Sequence, residues 1–220
     1  ELLCGRDNIR DVMSRVISYQ EKAFGESVRT DWKAGTFYSG VYAAYAATGD
    51  DRFYQAALKW CNTAKWRLAG STFFADDICT GQTYLDIYLK DRDPIMIANI
   101  TSALDQYFTK TSLTQREVGW APWRGQSGEF SGRNLWWWCD SLYMAPPVLA
   151  RMYKATGDDK YLELLHRLYW DTVDFLFRDQ DGLFARDETY FNKKTPNGKP
   201  MYWSRGNGWV YAGLIRTLDY

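Results

Sequence analysis

The stretch Tyr45-Ala46-Ala47-Thr48-Gly49-Asp50-Asp51-Arg52-Phe53-Tyr54 returns 108 positions later as Tyr153-Lys154-Ala155-Thr156-Gly157-Asp158-Asp159-Lys160-Tyr161. Each half of the pattern has a mechanical meaning. Glycine suits the left-handed position that closes a helix, and the following aspartate caps the next one. A weaker copy, Tyr88-Leu89-Lys90-Asp91-Arg92-Asp93-Pro94, keeps the cap and supplies a proline for a helix start. A chain that ends and restarts helices by one stereotyped turn is a stack of helical hairpins. With the weaker copy between the two strong ones, a hairpin takes about 54 residues. Four hairpins take about 216, nearly the whole chain, whereas a closed ring of six needs about 324.

The apolar periodicity agrees. Three-to-four spacing predicts helices over residues 8–24, 34–48, 51–67, 77–90, 94–109, 138–155, 159–177 and 207–220. Strand alternation is limited to a hairpin expected near 183–203, where Asn197-Gly198 is a turn signal. The fold class is therefore all-α, in a single domain over 1–220. The sequence stops at Leu214–Tyr220 inside an apparent helix, so a barrel truncated at its C-terminus is expected. Long polar, aromatic loops over 69–76, 112–136 and 178–206 carry Trp120, Trp123 and Trp203, and loops of that length are commonly functional.

Lysine plus arginine and aspartate plus glutamate are equal at 27 each. No basic footprint for nucleic acid or an anionic membrane surface results. No apolar run reaches membrane-spanning length. The cysteines Cys4, Cys61, Cys79 and Cys139 are scattered and His166 is the one histidine, so no metal site is expected. Cys61, Cys79 and Cys139 read as small core residues, and His166 as structural. With 11 Trp, 16 Tyr and 11 Phe, aromatics make 17% of the chain. That excess fits either an aromatic core or ring faces that stack on sugars.

Four segments can carry chemistry. In Trp136-Trp137-Trp138-Cys139-Asp140, a carboxylate behind three indoles is desolvated. Desolvation raises its pKa and keeps the proton a general acid needs; a plain helix cap is the other reading. Pro146-Pro147 should interrupt any helix there. In Phe74-Ala75-Asp76-Asp77, one acid is expected to cap a helix and the other to serve as a partner carboxylate. In Tyr202-Trp203-Ser204-Arg205-Gly206-Asn207-Gly208-Trp209, arginine suits a carboxylate and the glycines permit close approach, or the segment is a buried turn. Trp32 opens a helix and either lines the same mouth or packs in the core.

Taken in order, ADDICTGQTY (75–84), WCDSLYMAPPV (138–148) and WSRGNGWV (203–210) resemble the unsaturated rhamnogalacturonyl hydrolases of glycoside hydrolase family 105. More distantly, they are similar to unsaturated glucuronyl hydrolases. The resemblance implies an (α/α)6 barrel, here incomplete at about four hairpins, with the site at one mouth. It implies release of a 4,5-unsaturated galacturonic acid from lyase-made pectin oligosaccharides by hydration of the vinyl ether. Asp140 then matches the acid/base and Asp77, or else Asp76, the assisting acid. Trp203 and Arg205 match substrate contacts, with Trp32, Asn207 and Trp209 completing the expected set. No cofactor is implied. The partner is an oligosaccharide bound by a monomer, in the periplasm or cytoplasm of a bacterium. In the segment Gly182–Asp187 some members carry a histidine where the charged residue here is Arg186, which leaves the acceptor sugar open. Three rivals stand beside this reading: a conventional inverting glycosidase, a polysaccharide lyase, and a non-catalytic helical-repeat or lectin-like binder.

Overall fold

The repeat builds the same turn at both of its sites. A computed structural model describes residues 5–25, 27–70, 74–110 and 135–220. Gly49 and Gly157 take the left-handed conformation (φ 67° and 73°). Their N–H groups donate to Tyr45 O (2.8 Å) and Tyr153 O (2.7 Å). Asp50 N donates to Thr48 Oγ1 and Asp158 N to Thr156 Oγ1, both at 3.2 Å. The aspartates then accept from Arg52 N and Lys160 N, both at 3.1 Å. The weaker copy keeps the geometry without glycine. Arg92 is left-handed (φ 62°), and Asp93 accepts from Ile95 N at 3.1 Å.

Between these turns run α1 (Arg6–Phe24), α2 (Trp32–Thr48), α3 (Asp51–Thr63), α4 (Ala75–Ile78), α5 (Gly81–Asp91), α6 (Ile95–Lys110), α7 (Ser141–Met144), α8 (Pro146–Thr156), α9 (Lys160–Leu176) and α10 (Ser204–Leu218). Helices α2, α5, α8 and α10 form one layer, α2 against α5, α5 against α8 and α8 against α10. Helices α1, α3, α6 and α9 form a second layer against them. Each return of the chain from the outer layer thus adds one inner helix. Inner helices are packed on most sides. In α5 the run Gly81–Ile87 is buried without a break, unlike an amphipathic surface helix.

Two expected helices are split. The 138–155 helix breaks between α7 and α8, because Pro146 has no N–H to continue the ladder and instead starts α8. The 77–90 helix breaks at Cys79-Thr80. There α2 presses in: a Cβ on Gly35 would stand 2.9 Å from Thr80 N. The third helix ends at Thr63 rather than at 67, and the last spans 204–218 rather than 207–220. The expected hairpin is a short one, with the Lys194–Pro200 bridge closed around Gly198. A second, unanticipated hairpin pairs β1 (Phe177–Arg178) with β2 (Leu183–Phe184). Cys61, Cys79 and Cys139 are buried core residues, and His166 lies on the exposed side of α9 against Trp170. Cys4, Trp120 and Trp123 lie outside the described residues. Among the described residues no helix is long and apolar enough to cross a membrane.

Candidate active site

All four chemistry-bearing segments precede or open inner-layer helices. Because these helices enter the ring in the same sense, their N-terminal ends meet at one mouth. There they surround a cavity of about 430 Å³. Trp32 comes from the start of α2, Phe74 and Asp76 from α4, Asp140 and Ser141 from the approach to α7, and Trp203, Arg205 and Trp209 from α10. Leu135 and the three indoles Trp136, Trp137 and Trp138 complete the wall. Helix N-termini carry partial positive charge, so a mouth built from several of them suits an anionic ligand.

Asp140 sits in the turn between the indole run and α7. It occupies the N-cap position of that four-residue helix, but its side chain makes no capping hydrogen bond to the N–H groups of the first turn. Burial pushes its carboxyl up to about 6 from an ordinary 3.8, against the opposing pull of the Arg205 and Arg186 guanidiniums. The turn is rigid. Ser141 Oγ donates to Trp138 O (2.6 Å) and Trp136 O (3.2 Å), and Cys139 N donates to Arg186 O (2.9 Å).

Arg205 reaches this turn because α10 comes unusually close. A Cβ on Gly213 would fall 2.2 Å from Leu142 O and 2.6 Å from Tyr143 Cα. One on Gly206 would fall 2.8 Å from Cys139 Sγ. Only glycine permits that approach. Gly208, from the same motif, has open space around it. Arg205 is exposed at the mouth, its guanidinium 4.9 Å from the centre of the Trp203 ring, while Trp209 packs on Tyr143 (4.7 Å between centroids).

The structure therefore gathers Asp140, Asp76, Trp32, Trp203, Arg205 and Trp209 on one cavity. Two candidates fall elsewhere. Asp77 is not among the lining residues; its carbonyl accepts from Ala69 N at 3.0 Å. Neither acid is the cap of α4, a position held by Phe74. Asn207 lies away from the cavity, and its amide is occupied by backbone. Oδ1 accepts from Phe184 N (2.8 Å), and Nδ2 donates to Phe184 O (3.0 Å) and Trp203 O (3.2 Å). It clamps β2 to α10. Replacing Asn207 by Ala is expected to lower stability by about 1 kcal/mol, since it removes three hydrogen bonds to part-buried backbone groups. A normal thermal melt with a raised KM would instead return Asn207 to the substrate-binding set.

Phe74, Leu135 and Ser141, which no sequence motif singles out, line the cavity beside the three indoles. Ser141 is adjacent to Asp140 and Phe74 lies two residues before Asp76, whereas Leu135 carries no such signal.

Known proteins resemble this chain in sequence and fold. A family model described as Glycosyl Hydrolase Family 88 matches residues 8–220. An unsaturated 3S-rhamnoglycuronyl hydrolase of Formosa agariphila is 37% identical over 202 residues, covering 86% of this chain and 51% of its own length. A solved structure named as a polysaccharide lyase superposes with a TM-score of 0.78 at 26% identity, over 95% of this chain and 58% of its own. A family 88 glycosyl hydrolase from Bacteroides vulgatus does so with a TM-score of 0.76 at 28% identity, over 92% and 58%. Structures of this type are (α/α)6 toroids, and the alternating inner and outer helices belong to that fold. The chain spans about half the length of the curated relatives it matches.

Proposed function

The chain belongs to Glycosyl Hydrolase Family 88, and from that premise we propose that it removes a 4,5-unsaturated uronic acid from the non-reducing end of lyase-made oligosaccharides. The observation that carries this reading is Asp140: a carboxyl that holds its proton up to about pH 6 inside an indole-walled cavity, with Arg205 at the same mouth. Protonating a carbon of a vinyl ether needs a neutral acid near the working pH, and burial supplies one. Arg205 offers the planar fork that grips the uronate carboxylate, and the indole faces stack on the sugar rings.

In the proposed sequence Asp140 delivers its proton to C4. Water attacks C5 and gives up a proton to the carboxylate that results. The hemiketal so formed breaks its bond between C5 and the ring oxygen, leaving a ketone at C5 and a hemiacetal at C1. Collapse of that hemiacetal expels the neighbouring sugar as an alcohol. One water is consumed and Asp140 regains its proton. Asp76, which lines the cavity, is the assisting acid in this proposal rather than Asp77.

The sugar released is proposed to be rhamnose. The motif resemblance implies a galacturonyl unit from pectin. The Formosa agariphila relative is named for a 3S-rhamnoglycuronyl substrate. Both oligosaccharides therefore enter the test, which follows the ultraviolet band of the unsaturated uronide. Loss of absorbance on turnover is expected. A gain would mark a lyase, and product without change an ordinary glycosidase, each overturning the proposal. In the same assay Asp76→Asn is expected to lower turnover by roughly 10²-fold or more, the usual worth of an acid–base group, and Asp77→Asn by far less. The reverse order would give the role to Asp77.

A further inference from the structure

Arg186 belongs to no helix and is not needed to grip the uronate, yet the fold holds it with unusual care. Its guanidinium lies between two aromatic faces, 4.4 Å from the centre of the Trp138 ring and 4.3 Å from that of Tyr190. Its Nε donates to Asp187 Oδ2 at 2.6 Å. Asp187 is itself buried, its side chain 3% exposed. It is fixed by Thr189, whose N and Oγ1 donate to Oδ1 at 2.8 and 2.6 Å. The backbone of Arg186 is tied to the catalytic turn through Cys139 N. The bond to Asp187 uses Nε, so the edge of the fork formed by the two Nη groups points away from it. The side chain keeps 26% of its surface exposed.

Trp138, on which Arg186 lies, lines the cavity; Arg186 itself is not one of the lining residues and stands behind that ring. It meets Trp203 edge to face, 6.2 Å between centroids, and Arg205 sits over Trp203. Each guanidinium thus stands over a different ring of one indole pair. One uronate carboxylate needs one cation. A second arginine, immobilised in advance and standing over a different wall ring, matches a second oxyanion farther along the ligand. Arginine forks bind sulfate and carboxylate oxygens in pairs, and a pre-ordered fork loses little entropy on doing so.

We infer that Arg186 is a specificity-determining residue that recognises an anionic group, a sulfate ester or a carboxylate, on the sugar portion beyond the unsaturated uronide. This rests on the proposed function of the same cavity.

The test uses three unsaturated uronyl–rhamnose oligosaccharides. One bears a sulfate ester on the rhamnose, the second is its desulfated counterpart, and the third is desulfated but extended by a further uronic acid. kcat/KM is measured for the wild type, Arg186→Met and Arg186→Lys, and binding of each oligosaccharide by calorimetry. The wild type is expected to favour one of the two anionic substrates over the neutral one by tenfold or more. Whichever is favoured identifies the source of the oxyanion. Arg186→Met should remove that preference, its loss of kcat/KM on the favoured anionic substrate exceeding its loss on the desulfated one by tenfold or more. Arg186→Lys, which keeps the charge and loses the fork, should retain part of it. Equal losses on all three substrates would make Arg186 merely structural and overturn the inference, as would a wild type without preference. If the ultraviolet band persists with every substrate, the proposed function fails. The calorimetric preference, present or absent, then still decides the role of Arg186.

Discussion

Asp140→Asn is expected to lower turnover on an unsaturated oligosaccharide by roughly 10²–10⁴-fold, the range for removing a positioned proton donor. The amide keeps the shape of the carboxyl and cannot deliver the proton. The same substitution is expected to raise the melting temperature at pH 7. Burial raises the folded-state pKa of Asp140 to about 6 from 3.8, so the native state binds this proton more tightly than the unfolded chain does. Stability from this group is therefore greatest below pH 4. It falls as pH rises from 4 to 6, where the folded protein must ionise a desolvated carboxyl, and stays low above that. Asparagine has no such penalty, so its advantage should open over pH 4–6 and vanish below. The measurements are the ultraviolet assay and paired melts from pH 3.5 to 7.5, with helical circular dichroism as the check on folding. A variant that keeps more than a tenth of wild-type turnover would remove Asp140 from the acid's role. A melting temperature lower than wild type at every pH would show that the carboxylate is stabilised where it sits.

Asp86→Ala should be the most damaging change away from the cavity. Asp86 and Arg151 join α5 to α8 through a 2.6 Å ion pair in which both side chains are 3% exposed. Arg151 Nη1 also donates to Pro147 O and Arg216 O, and Tyr220 donates its hydroxyl to Asp86 Oδ1 at 2.9 Å. Arg216 reaches across from α10, within 3.5 Å of Asp86 Oδ2, and donates to Gln82 Oε1 at 2.7 Å. Three inner helices therefore meet on one carboxylate. Removing it leaves Arg151 charged and enclosed. Breaking a buried pair from one side costs about 3–5 kcal/mol. At roughly 2–4 °C per kcal/mol for a chain of this size, the melting temperature should fall by on the order of 10 °C. The double variant Asp86→Leu/Arg151→Met should recover part of the loss, because an apolar pair removes the enclosed Arg151 charge while the partly exposed Arg216 stays beside it. Additive damage in the double variant would show that the network acts by packing rather than by charge.

The helical hairpins were legible because their signals are local. Gly49 and Gly157 close helices, and Asp50, Asp93 and Asp158 cap the next, all within four residues along the chain. The raised carboxyl was legible for a similar reason: three indoles beside Asp140 announce desolvation before any fold is known. What could not be read was which side chain faces where. Asp76 and Asp77 are adjacent and chemically identical, and only the placement of α4 puts Asp76 on the cavity. Asn207 sits in a motif that suggests ligand binding, yet a β2 strand 23 residues earlier in the chain takes up its amide. Arg186 and the Asp86 network were likewise out of reach, since their partners come together from separate elements. Sequence alone determined the alternation of helices and the desolvation of the Asp140 carboxyl, because both follow from neighbours within a turn or two. Tertiary structure decided the company that carboxyl keeps. Glycines at 206 and 213 let α10 approach until Arg205 shares its cavity, and contact between distant segments has no signature in the spacing of residues along the chain.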